Sequence, residues 1–177
     1  MPTVLELLPG KSPLALPFAP AEEPVLILGV GNWIMGDEGV GIHVVRRLAD
    51  LHAVPGVRVL DGGTGGINLL VEFDGVRDVV LVDATRDGRP AGTVTRLRPE
   101  RVGDIPRGLG AHDFGLKDLF AAAALLGRMP NLYLFTIAVE EVHPMCTELS
   151  PPVAAVVTEV ACAIQQLAEK LASGREA

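Results

Sequence analysis

Val25–Val30, reading VLILGV, and Val79–Val82, reading VVLV, contain no polar side chain. A strand with one wet face alternates apolar and polar residues. An unbroken apolar run therefore predicts a strand buried on both faces, as in a parallel sheet. Between these runs the period changes: Val40–Leu51 sets Val40, Val44, Val45 and Leu48 at helical spacing. Further strands are predicted at Val57–Leu60, Thr93–Leu97 and Leu132–Val139, with the alternating Thr93–Leu97 nearer an edge. Ile67–Phe73 reads as a short helix and Leu116–Leu126 as an Ala- and Leu-rich one. Ser150 is placed to cap a last helix with Pro151 in its first turn, and Val153, Val156, Val157, Val160, Ile164, Leu167 and Leu171 form its apolar face. Strands alternating with helices predict a three-layer α/β/α fold around a twisted, mostly parallel sheet of about five strands.

The 177 residues suit one domain, placed here at residues 25–177. Residues 1–24 read as a loose tail. Pro9, Pro13, Pro17 and Pro20 interrupt it, and it lacks the basic start and long apolar core of a signal peptide or membrane span. The expected compartment is the cytoplasm. A net charge of −7 with no basic stretch argues against nucleic acid and against anionic membrane lipids as partners. Cys146 and Cys162 form no C-x-x-C pair, so they are expected as free thiols, with Cys162 a small core residue of the last helix.

In parallel sheets the chemistry gathers beyond the carboxyl ends of the strands. Here the first strand runs into Gly29–Gly41, GVGNWIMGDEGVG, the second ends at Asp61, and the third ends at Asp83. The opening Gly-x-Gly resembles a dinucleotide fingerprint. The third glycine is displaced to Gly36, Asp61 lies thirty residues after Gly31 rather than about 20, and Asp37 and Glu38 oppose a phosphate at the helix start. Asp37 reads equally as a helix-capping acid or a functional group. For Glu38 function is the better reading, because two more acids end neighbouring strands, and for Asp83 likewise, because a carboxylate at the end of a buried strand is costly unless paired or bound to a metal. His112, before the Leu116–Leu126 helix, taken alone reads more readily as a surface loop histidine than as a ligand. His43, His52 and His143 are weaker candidates. Two carboxylates and one imidazole suit a borderline divalent ion such as nickel. The same groups can instead position water for attack on an amide.

Taken in order, these turns resemble the hydrogenase maturation endopeptidase family. The residues that carry the likeness are GVGNWIMGDEGVG, DGGTGG at Asp61–Gly66, VDA at Val82–Ala84, HDFGL from His112, and LSPPV at Leu149–Val153, so that it spans Val25 to Leu171. The resemblance implies an endopeptidase that removes a C-terminal extension from the nickel-loaded large-subunit precursor of a nickel–iron hydrogenase. It implies metal contacts, and with them catalysis, from Glu38, Asp83 and His112. It also implies that the nickel arrives with the substrate, with no organic cofactor. The tail has no counterpart in a minimal family member, and Glu140–Cys146 fits the expected loop only loosely.

Two other classes compete: a Rossmann-like nucleotide enzyme, and a non-catalytic accessory protein that holds a metal or a hydrogenase subunit through the same ligands. A substrate-binding role is expected for Asp61, Gly62, Gly63, Thr64 and Gly65. Such a glycine-rich turn bares its backbone to an approaching extended chain. Trp33, Ile34 and Met35 on the neighbouring turn are expected either as a contact patch for the substrate or as packing under the tail.

Overall fold

Successive side chains of a strand point to opposite faces, and the first strand follows that rule with apolar residues on both. The computed structural model of the chain describes residues 24–106, 109, 113–141 and 143–174. Strand β1 is Val25–Val30, entirely buried. Val25 and Ile27 enter one core, and Leu26, Leu28 and Val30 enter a second on the other face. Strand β3, Asp78–Thr85, divides in the same way, with Val80 and Val82 on the first side and Val79 and Leu81 on the second.

The remaining elements are α1 (Val40–Ala49), β2 (Val57–Gly63), β4 (Val94–Leu97), α2 (Asp113–Leu125), β5 (Asn131–Ala138) and α3 (Pro151–Ala172). The sheet has five strands in the order β2-β1-β3-β5-β4. β1 pairs in parallel with β2 and β3, and β3 with β5, while the edge strand β4 is antiparallel to β5. The first core packs α1 and α3 on the sheet through Val44, Leu48, Val160 and Ile164. The second packs α2 and the 3-10 segment Gly66–Phe73 through Phe73, Leu119 and Phe120. The three-layer α/β arrangement with its mostly parallel sheet is the one the sequence predicts. The 1–24 tail, apart from Pro24, lies outside the described residues.

Four local expectations are corrected. β3 continues to Thr85, so Asp83 lies inside the strand, opposite Thr136 of β5, rather than at its end. β2 continues to Gly63, so Asp61, Gly62 and Gly63 belong to a strand and only Thr64 and Gly65 form the turn. Cys162 is exposed. It follows Ala161, which faces the core, and one residue of helix rotates the next side chain by about 100°, out of the buried stripe. Ser150 occupies the N-cap of α3, but its hydroxyl does not cap that helix. α3 is the one helix among the described residues long and apolar enough by length and composition to cross a bilayer, and here its stripe from Val153 to Leu171 packs on α1 and the sheet.

Candidate functional site

The site begins with a close approach. A Cβ on Gly41 would lie 2.2 Å from the Val30 carbonyl oxygen and 2.5 Å from that of Val82. Only glycine lets α1 press its first turn onto the carboxyl ends of β1 and β3. That contact sets the preceding 3-10 turn, Gly36–Gly39, at the carboxyl edge of the sheet, with Asp37 and Glu38 both 3% exposed.

The two adjacent acids do different work. Asp37 Oδ1 accepts a hydrogen bond from the Ser150 N–H, and Oδ2 accepts one from the Ser150 hydroxyl, both at 2.7 Å. Asp37 thus serves the amino end of α3, where a negative charge also meets the helix dipole favourably. Glu38 is unlike it: among the described residues its buried Oε1 has no hydrogen-bond partner. The nearest cation is Arg86, whose Nη2 stands 3.8 Å away, beyond hydrogen-bonding range. A buried carboxylate oxygen without a donor is costly. Such an oxygen is suited to take a proton or a metal ion.

Asp83 is 2% exposed, and its Oδ1 accepts from the Ala84 N–H at 2.8 Å. It falls on the strand face of Val79 and Leu81, the side covered by α2. Thr136, in register with it, and Thr85 are also buried. Glu38 and Asp83 therefore share the carboxyl edge of the sheet, since the Gly36–Gly39 turn packs on β3. His112 lies outside the described residues, and so does its geometry with these two acids.

The rim is tied together across the chain. Gly36 N–H donates to the Cys146 carbonyl at 2.8 Å, and Cys146 N–H to the Ile34 carbonyl at 3.2 Å, joining the first turn to the loop before α3. His43 Nε2 lies 3.1 Å from the Thr147 carbonyl, and its ring stacks on Trp33 at 4.4 Å. Burial holds the His43 pKa below its ordinary value, against the opposing pull of the Thr147 hydrogen bond. Arg46 sits 3.6 Å over the Trp33 ring and 3.7 Å from Asp61. Trp33 therefore packs on α1, while Ile34 (48% exposed) and Met145 (86%) face outward.

Asp61 is half-exposed, and its Oδ1 accepts from the Gly63 N–H at 3.1 Å. Gly63 adopts φ +50° with open space where a side chain would stand. Gly65 differs, because a Cβ there would meet Leu69 Cγ at 3.0 Å and the Gly62 oxygen at 3.1 Å. Sequence reasoning missed Arg86 and Thr136. Thr136 had a signal, as the polar interruption of an otherwise apolar strand. Arg86 had none, because its place depends on how the chain turns after β3.

Fold and site together define an α/β protein that holds paired buried acids at the carboxyl edge of a parallel sheet. The hydrogenase maturation protease family model matches residues 42–167, and the chain belongs to that family. The match begins just after Glu38. Among curated proteins, the hydrogenase expression/formation protein HupD of Rhodobacter capsulatus is 39% identical over 115 residues, which is 62% of this chain and 53% of HupD. The hydrogenase 2 maturation protease of Escherichia coli K12 is 34% identical over 124 residues, 68% of this chain and 76% of its own. The chain thus spans about half the length of the first and three quarters of the second. Among solved structures, the hydrogenase maturating endopeptidase HybD from E. coli superposes with a TM-score of 0.72 at 33% identity, covering 85% of this chain and 93% of that one.

Proposed function

We propose that this chain is an endopeptidase that cuts a C-terminal extension from the nickel-loaded large-subunit precursor of a nickel–iron hydrogenase. Family membership supports this reading over the nucleotide-binding and accessory-protein readings. The observation that carries it is the buried Oε1 of Glu38, without a hydrogen-bond donor among the described residues, at the same sheet edge as Asp83. The nickel is part of the substrate. In this reading Glu38, Asp83 and His112 grip it and so bring the scissile peptide to the edge of the sheet. Hydrolysis adds the water oxygen to the carbonyl carbon and delivers a proton to the leaving nitrogen. Glu38 Oε1 serves either as a ligand or as the acceptor of the water proton, and both roles use the same free lone pairs.

The stretch Asp61–Gly65 holds the extended segment beside the cut through the backbone of Thr64, because Gly63 already commits its N–H to Asp61 Oδ1 and its carbonyl to the Gly31 N–H. Of the Trp33–Met35 turn, the exposed Ile34 docks the folded body of the precursor, while Trp33 stays packed on α1. We place the reaction in the cytoplasm, on the strength of the two free cysteines, Cys146 and Cys162. The test is to incubate the purified chain with a nickel-loaded precursor and with its nickel-free form. A mass loss equal to a C-terminal peptide from the loaded form alone is the expected outcome. An unchanged mass in both ends the peptidase reading.

A further inference from the structure

Arg86 stands three residues beyond Asp83 and half-exposed, with its guanidinium 3.8 Å from the buried Glu38 oxygen. Among the described residues no hydrogen bond holds that guanidinium, so the ion pair with Glu38 is its one recorded polar contact. The pair is asymmetric: the Arg86 side chain is 48% exposed and that of Glu38 is 3%. One partner is fixed in the protein and the other is a long arm reaching in from solvent. A guanidinium stays protonated at any working pH. It is thus a permanent positive charge beside the carboxylate that the proposed function assigns to the substrate's nickel.

We propose that Arg86 is a displaceable counter-charge for Glu38. It neutralises the buried carboxylate while no substrate is bound, weakens the hold of this site on free divalent ions, and swings outward when a metal already fixed in a protein is presented. The chemistry follows from competition. A dication and a guanidinium seek the same oxygen, and like charges a few ångströms apart repel. At 3.8 Å the arginine lowers the cost of the buried charge without forming the short, aligned bonds that would lock it. A free aqueous ion must displace this charge using only the few ligands of the site. A metal held in the large subunit brings the whole docking surface with it and displaces the arginine at little relative cost. Arg86 is therefore a positioning and selectivity residue rather than a catalytic one. Its assignment rests on the reading of Glu38 as a contact for the substrate's metal.

Calorimetry with aqueous nickel as the probe tests it on the full chain. Wild type is expected to bind weakly, and Arg86→Met at least tenfold more tightly. Arg86→Lys keeps the charge and should return the affinity most of the way to wild type, which a merely structural role would not do. The gain should vanish in the double variant Arg86→Met, Glu38→Gln. Equal affinity of wild type and Arg86→Met overturns the proposal, as does a gain that survives removal of the Glu38 charge. Incubation of both proteins with the nickel-loaded precursor separates the two readings. If neither cuts while the Glu38-dependent gain stands, the counter-charge role holds and the peptidase role fails.

Discussion

Asp37 accepts two hydrogen bonds from Ser150, joining the turn that starts α1 to the residue that starts α3 across 113 positions of sequence. The acid beside it makes no such bond through its Oε1. Neighbouring carboxylates of equal burial are thus divided between holding the site together and leaving an oxygen free within it.

The first of these roles predicts a loss of stability. Asp37→Ala strands the Ser150 N–H and hydroxyl at a partly buried joint. The expected cost is about 2–3 kcal/mol, the range for losing a charged acceptor. Urea unfolding measures it. A change within about 0.5 kcal/mol, typical of an ordinary surface site, would show that the joint is not a structural tie.

The second predicts the opposite pattern. Glu38→Gln keeps the shape and removes a buried charge that has no hydrogen bond on Oε1, so the fold should be as stable as wild type or more so. Processing of the nickel-loaded precursor should fall by about a hundredfold or more, the scale of losing an acid–base group. Unchanged processing in this variant excludes Glu38 both as ligand and as base.

Much of this arrangement is legible in the chain because its signals are local. The VLILGV and VVLV runs are apolar on both faces, and both faces are covered. The Asp37–Glu38 turn reads as a site because acids at a helix start beyond a buried strand have few bland explanations. What was misread depends on partners distant in sequence. Whether β2 stops at Leu60 or runs to Gly63 is decided by its pairing with β1, where Val30 meets Gly63 across a register shift. Whether Ser150 caps its own helix is decided by Asp37, whose carboxylate attracts the hydroxyl more strongly than an amide does. Cys162 was misassigned because small apolar residues fill nearly every position around it, and the stripe that packs is chosen by α1 and the sheet.

The two glycines proposed at the substrate chain's path should respond differently. From sequence alone, Gly65→Val would obstruct the backbone at little cost to stability. The contacts a Cβ makes there, with Leu69 and the Gly62 carbonyl, reverse that expectation. This variant should lose about 1–3 kcal/mol through overpacking, and a fall in its activity would say little about substrate. Gly63→Asn is the clean probe: φ is +50° with nothing within 4 Å of the added carbon, and asparagine tolerates that region better than other side chains. Its melting temperature should stay within a few degrees of wild type. If the scissile segment pairs with the neighbouring Thr64 backbone, the added side chain obstructs its approach and kcat/KM for the precursor should drop at least tenfold, roughly the effect of losing one backbone hydrogen bond. A Gly63→Asn protein that processes at the wild-type rate removes this stretch from the substrate path.

His43 gives the rim a stability that depends on pH, and the sign follows from its surroundings. Burial is the largest influence and lowers its pKa from the ordinary 6.5, with the nearby Arg46 acting in the same direction. The Thr147 carbonyl and Asp37 act in the opposite direction and do not overcome it. Below the ordinary value the unfolded chain therefore binds a proton that the folded chain resists. The contribution is present in full above pH 6.5 and is lost as the pH falls from there through the lowered folded value. His43→Gln retains a donor for the Thr147 carbonyl but does not titrate. Unfolding free energies measured near pH 7.5 and near pH 5, about one unit or more either side of the free imidazole value, should differ less in this variant than in wild type. The other histidines contribute equally to both proteins and cancel in the comparison. A pH dependence identical in the two would show that His43 is as easily protonated folded as unfolded, and that the Trp33 stack does not bury it in solution.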